Sequence, residues 1–181
     1  MSKIDARIRY TQQAIRKALL TLLKDTSILK VTVKELCAMA GINRATFYAH
    51  YKSPQTLLES IEDDLLAEVL SSGKSADRLR NLFPVIAKNI DLCTILFSEN
   101  GNSMFLLRMI EKSREQSLIE LKAEFPLVPE SELEYAYEFI AAGTIAVIVR
   151  WVRSGMKDMP KDFPLIVSNL RQEWLGKYLE R

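Results

Sequence analysis

The sequence predicts an all-α fold, with an N-terminal three-helix head containing a helix-turn-helix and a C-terminal helical body. Three observations lead there. Apolar residues recur at three- and four-residue spacing along most of the chain. No segment shows the strict apolar/polar alternation of a half-buried strand. Capping residues, glycines and prolines punctuate the periodic segments where helices should begin and end.

Taken in order, residues 6–24 form an amphipathic helix. Ala14, Ile15, Ala18, Leu19, Leu22 and Leu23 share one face, and Arg7, Arg9, Arg16 and Lys17 the other. Residues 27–31 are a short connector. Thr32 opens a second helix, and Glu35 three residues later completes a capping box. In such a box the Thr hydroxyl accepts from the Glu35 amide while the carboxylate reaches back to Thr32. Leu36, Met39 and Ala40 supply its inner face. Gly41 stops it, because a left-handed residue costs glycine little. Asn43 caps a third helix running from Arg44 to about His50. Ser53 caps a fourth, with Pro54 at the first position, where a missing N–H costs nothing. Leu57, Leu58, Ile61, Leu65, Leu66 and Val69 form the stripe of that helix.

A polar loop at residues 71–75 separates two expected domains. One is the head, 1–53, with a linking helix at 54–71; the other is the body, 74–181. Five more helices are expected at 76–89, 91–98, 103–124, 130–154 and 162–179. Pro84 should kink the first of these. Asn100-Gly101-Asn102, Pro126 with Pro129, and Pro160 with Pro164 mark the later breaks. Internal repeats and low-complexity tracts are absent from the sequence.

Composition narrows the class. The chain is 48% hydrophobic and 27% charged, ordinary for a water-soluble globule. No apolar run approaches the roughly 20 residues of a membrane span, the longest being 139–149. Residues 1–5 lack the apolar core of a secretion signal. Cys37 and Cys93 both fall in apolar helical patterns, which suits reduced, buried thiols and a cytoplasmic location. His50 is the single histidine and has no partners for a metal site or a triad. There is no CxxC, no phosphate-cradling glycine loop and no paired-carboxylate motif, and Glu111, Glu115 and Glu120 read as solvated helix faces. Enzymatic chemistry, metals and cofactors are therefore not expected.

The net charge of +2 conceals an asymmetry. Residues 1–52 carry 10 Lys/Arg against 3 Asp/Glu, a net of +7, and the remainder carries 15 against 20, a net of −5. A basic head on an acidic body suits a polyanionic partner of the head. Two short helices joined by a glycine-containing turn place the second helix, N-terminus first, in a major groove of double-stranded DNA. Asn43, Arg44 and Thr46 stand at that end and suit base edges and phosphates. Tyr48, His50 and Lys52 follow as phosphate donors; the alternatives are an ordinary half-buried aromatic for Tyr48, an equally weighted structural hydrogen bond for His50, and plain solvated charges for Lys52 and Lys34. Thr32 and Lys34 start the preceding helix and suit phosphates across the groove. Ala45 leaves room for close approach, and Tyr51 reads as a core aromatic.

The run Gly41-Ile42-Asn43-Arg44-Ala45-Thr46-Phe47-Tyr48-Ala49-His50-Tyr51-Lys52-Ser53 resembles the signature of the TetR/AcrR family of transcription regulators. The likeness extends from about Arg9 to Leu66. Asn43 replaces a common Ser and keeps the cap, while Pro54 replaces a common Lys and removes one phosphate contact. The resemblance implies that Thr32 and Lys34 touch phosphates, that Asn43, Arg44 and Thr46 face the groove, and that Tyr48, His50 and Lys52 anchor the backbone. It further implies that Phe47 packs inward. The C-terminal half resembles a variant common in Firmicutes. The residues carrying that likeness are Leu96-Phe97-Ser98-Glu99-Asn100-Gly101-Asn102-Ser103-Met104-Phe105, then Tyr135, Phe139 and Gly143 at four-residue spacing, and Arg150-Trp151.

Residues 139–149 are apolar around the whole helix circumference, so one side should serve the core and the other a partner. Gly143, Ala146 and Arg150, with Ile166, Leu170, Trp174 and Tyr178 on the last helix, are the expected two-fold homodimer interface, with a monomer that encloses the helix fully as the alternative. Such a dimer would set two heads about 34–36 Å apart on a near-palindromic operator. Phe83, Phe97, Met104, Phe105, Met109, Tyr135 and Phe139 are candidates for an effector pocket, with plain core as the alternative. The function expected is sequence-specific transcription regulation, as a repressor released by a small molecule. An activator, a regulator answering to a protein partner, and an interaction module without DNA binding stay open.

Overall fold

The computed structural model describes residues 3–73, 75–98, 103–157 and 162–178. Among them every α-helix expected from the sequence is present, and no strand is found. The elements are α1 Lys3–Leu22, α2 Val33–Ala40, α3 Arg44–Tyr48, α4 Pro54–Leu70, α5 Ser75–Lys88, α6 Ile90–Leu96, α7 Ser103–Glu124, α8 Glu130–Arg153 and α9 Phe163–Leu175. The connector at 27–31 contains a 3-10 turn, Ile28–Lys30, and a second such turn, Gly176–Tyr178, follows α9. The break at Asn100-Gly101-Asn102, Lys74 and Pro160 lie outside the described residues.

Contacts divide the chain into two compact units. Unit 1 comprises residues 1–65 and 95–102, and unit 2 comprises 66–94 and 103–181. In unit 1, α1 packs on α2 and α2 on α3. The predicted face of α1 delivers Ile15, Ala18 and Leu19 to the interior, with Leu23 just beyond the helix end; Leu36, Phe47, Leu57 and Ile61 join them. Fully burying one such side chain is worth roughly 1.5–3 kcal/mol, so these residues hold α2 and α3, two short helices that could not persist alone. One expectation needs correcting. Met39 is 49% exposed, and Cys37 takes its place on the inner face of α2. Helical spacing offered both residues, and the α1–α2 contact selects the one nearer Leu36.

In unit 2, α7 packs on α8, α8 on α9, and α5 on α9. The core gathers Leu121, Phe125, Val128, Leu133, Ala136, Tyr137 and Leu175. Phe83 of α5 meets Trp151 and Phe163 edge-on, with ring centroids 5.5 and 6.3 Å apart. Pro84 does not end α5, which continues to Lys88.

Helix α8 departs from the expectation about membranes. Its 24 residues include an 18-residue window of mean hydropathy 1.3, so by length and composition it could cross a membrane. Apolar runs alone missed this because acidic and basic residues flank the 139–149 segment. Only 22% of that window is buried within the chain. Both cysteines are free and buried. Burial, with a smaller contribution from Glu68, pushes the Cys93 thiol up to about 12, so it stays protonated at neutral pH.

Candidate nucleic-acid interface

The head is built from three local devices. At the start of α2, Glu35 N–H donates to Thr32 Oγ1 at 3.3 Å, and Thr32 N–H donates to Glu35 Oε2 at 2.9 Å. The Thr32 hydroxyl also donates to the same carboxylate at 2.6 Å. These bonds, with a smaller contribution from Lys34, hold the Glu35 carboxyl below the usual carboxylate range. At the turn, Gly41 is left-handed, φ 65° and ψ 35°, and the Gly41 and Ile42 amides both reach the Cys37 carbonyl. A Cβ there would strain the backbone even though nothing lies within 4 Å of where it would stand. At the start of α3, Asn43 Oδ1 accepts from Thr46 N–H at 2.8 Å and from the Thr46 hydroxyl at 3.0 Å.

Ser53 and Thr56 form a comparable reciprocal pair at the start of α4. Thr56 N–H donates to Ser53 Oγ at 3.2 Å and Ser53 N–H to Thr56 Oγ1 at 3.0 Å. The Thr56 half of this pair was not anticipated, though Ser-x-x-Thr spacing signals it. A second unanticipated contact is Arg16 to Asp64, 2.5 Å, which ties α1 to α4 within unit 1. Arg16, read as part of a plain polar face, is thus partly occupied.

These bonds sort the predicted contact residues. The single hydroxyl protons of Thr32 and Thr46 are spent on Glu35 and Asn43. Neither can donate to a phosphate without breaking its cap. Lys34, Arg44 and Lys52 are exposed, and Tyr48 is 57% exposed. Asn43 is also exposed, and its amide nitrogen is not used by the cap. His50 is half-buried, its ring 6.3 Å from that of Tyr51. Phe47 is fully buried and meets Tyr48 edge-on at 5.6 Å and Tyr51 at 6.1 Å. Phe47 thereby fixes the roll of α3, with Asn43, Arg44 and Tyr48 outward. Burial raises the Tyr51 phenol above its ordinary value, in keeping with a core aromatic.

Unit 2 contains a cavity of about 230 Å³. Of the six pocket candidates whose side chains are described, only Met109 lines it. Phe83 is engaged with Trp151 and Phe163, and Phe97 and Phe105 are buried without reaching the cavity. The side chain of Met104 lies outside the described residues. Tyr135 and Phe139 are 69% and 65% exposed and lie on the outer face of α8, a correction to the pocket expectation. Their four-residue spacing fits a core stripe equally well, and only the packing of α7 and α9 shows which side is inside. The wall is formed instead by residues such as Ile110, Tyr137, Ile140 and Ile145, with Ser113 and Arg171. A polar residue interrupting an apolar stripe, as Ser113 does in α7, is the sequence signal that would have found it.

The outer face of α8 and α9 is mostly apolar and is left uncovered by the described residues. Gly143, Ala146 and Arg150 are exposed, as are Ile166 and Leu170. Nothing lies within 4 Å of where a Gly143 Cβ would stand. Phe139 and Trp174 meet edge-on at 5.6 Å, joining the two helices on this side. The Tyr178 side chain lies outside the described residues.

Comparison with known proteins agrees with this architecture. Residues 74–172 match the TetR_C_8 family, described as a transcriptional regulator C-terminal region. A Bacillus subtilis (strain 168) protein described as an uncharacterized HTH-type transcriptional regulator, YxbF, is 32% identical over 69 residues. That match covers 38% of this chain and 18% of the relative's length. The fold resembles the dihydroxyacetone kinase operon activator DhaS, with TM-score 0.68 and 18% identity, over 93% of this chain and 97% of that one. It also resembles a TetR transcriptional regulator from Streptococcus agalactiae 2603V, with TM-score 0.67 and 24% identity, over 96% of each chain. The chain belongs to the TetR family of transcriptional regulators.

Proposed function

We propose that the protein is a sequence-specific DNA-binding transcription regulator that acts as a two-fold dimer. Unit 1 would be the reading head and unit 2 the dimerisation and effector domain. The observation carrying this is the capped α2–turn–α3 unit with Asn43, Arg44 and Tyr48 outward and Lys34 and Lys52 exposed beside them. Buried Phe47 holds that tip rigid. Side chains held by a rigid short helix suit major-groove readout, and the surrounding cations suit phosphates.

The uncovered strip on α8 and α9 supports the dimer. A patch of Phe139, Gly143, Ala146, Ile166 and Leu170 favours a second apolar face, and an isologous contact doubles each helix into a four-helix interface. The same burial by a partner accounts for the apolarity of α8 without a membrane.

Regulation is read as repression released by a small molecule in the unit 2 cavity. An effector that prefers one head spacing shifts the population away from the form that fits two successive grooves. The fold leaves the direction of regulation open, since one structural neighbour is named an operon activator.

The test is a mobility-shift titration of the full chain with pooled duplex fragments at several salt concentrations. Binding should weaken steeply as salt rises, because each phosphate contact releases condensed counterions. Binding that ignores salt, or no binding at low salt, would refute the proposal.

A further inference from the structure

Resting on the effector reading of unit 2, we propose that its cavity takes a small monoanionic amphiphile, with a carboxylate-type head met by Arg171. A volume of about 230 Å³ holds about eight heavy atoms at roughly 30 Å³ each. Most of the wall is aliphatic, including Ile110, Leu121, Ile140 and Ile145, so the body of the ligand is apolar.

The polar groups on the wall decide the rest. Tyr137 O–H donates to the Ile110 carbonyl at 2.5 Å and lies 2.8 Å from Ser113 Oγ, which itself donates to the Met109 carbonyl at 2.8 Å. The two hydroxyl protons serve three short contacts, so both are taken up within this pair and by the backbone of α7. Arg171 differs. Its side chain is only 13% exposed, and Nη2 donates to Glu124 Oε1 at 3.1 Å. Its Nε–H is buried with no hydrogen-bond partner among the described residues. Arg80 also lines the cavity, and no carboxylate does so among the described residues. The wall is therefore largely apolar, and its buried guanidinium, paired with Glu124 through Nη2, keeps one charged donor unspent. A buried donor left unpaired is costly, and an acceptor delivered by a ligand recovers that cost. A carboxylate satisfies it, a neutral alcohol gains mainly the apolar contribution, and an ammonium is repelled.

Isothermal titration of the full chain with hexanoate, 1-hexanol and hexylammonium, none larger than the about eight heavy atoms the cavity holds, tests this. Hexanoate should bind about tenfold or more tightly than 1-hexanol, the effect expected of a hydrogen bond to a charged group, and hexylammonium should not bind. Arg171→Met should erase the preference for hexanoate while leaving 1-hexanol affinity unchanged. Arg171→Lys, which keeps the charge, should retain part of it and serves if the Met variant unfolds. Glu124→Gln should tighten hexanoate by freeing the guanidinium. Thr144→Phe, which fills the cavity, should remove binding of both ligands. Equal affinity for the three probes, or hexanoate binding untouched by Arg171→Met or Thr144→Phe, overturns the proposal. If hexanoate binds as expected but leaves DNA affinity unchanged, the ligand class stands and the effector role falls. If 1-hexanol and hexanoate bind alike in the cavity and both change DNA affinity, the ligand class falls and the effector role stands.

Discussion

Asn43 Oδ1 accepts both the amide and the hydroxyl hydrogen of Thr46, at 2.8 and 3.0 Å. The side chain best placed to read a base thus also holds the reading helix in shape. The two duties can be separated. Asn43→Ala should destabilise the head by about 1 kcal/mol, the usual cost of a lost N-cap, and also weaken DNA binding. Asn43→Ser, which keeps a capping oxygen, should restore thermal stability but not the full affinity. Thermal melts beside mobility-shift titrations distinguish the two effects. A Ser variant equal to the original in affinity would mean that Asn43 only caps.

Among the described residues the exposed Tyr48 hydroxyl has no comparable internal duty. Tyr48→Phe should leave the melting temperature unchanged and weaken DNA binding by roughly 1.5–3 kcal/mol, as expected for a hydrogen bond to a charged group. Thr46→Val should do the opposite, costing stability through the cap with little direct loss of phosphate contact. A larger affinity loss in Thr46→Val than in Tyr48→Phe would reverse the assignment made from the hydroxyl geometry.

The strip on α8 and α9 predicts a weak point for assembly. Gly143→Glu puts a carboxylate where the chain leaves open space and where a partner would have to bury it. Sedimentation should show the original as a dimer and this variant as a monomer with unaltered helical content, because an unpaired charge is excluded from an apolar interface. A Gly143→Glu protein that still dimerises would move the interface elsewhere.

Glu35 makes the head sensitive to acid. Its hydrogen bonds to Thr32 hold its folded pKa below the unfolded value. The stabilisation is therefore fully present above the unfolded value of about 4.3, and is lost as pH falls through the lower folded one. The melting temperature of Glu35→Gln relative to the original should differ by a constant amount near neutrality. That difference should shrink below about pH 4. A difference independent of pH down to pH 3 would contradict the charged capping box.

Much of this architecture was legible in the chain because its punctuation is local. Thr32, Gly41, Asn43 and Ser53 each act on backbone groups within a few residues, so spacing alone located α2, α3 and the start of α4. The cavity was not legible, since periodicity says which residues share a face and not which face meets a void. Tyr135 and Phe139 show this, being indistinguishable by spacing from Tyr137's buried neighbours yet exposed. The commitment of Thr32 and Thr46 to internal bonds was half legible. The caps were expected, but the use of both hydroxyl protons depends on side-chain rotamers that sequence does not encode.

Selection of bound duplexes from a random DNA pool by the full chain reaches the central claim most directly. A paired, capped head predicts an enriched near-palindrome, with half-site centres about 10–10.5 base pairs apart or a multiple of that spacing. The same selection with Arg44→Ala should lose or relax part of each half-site. A pool without enrichment, or one enriched in a single unpaired element, would contradict the account.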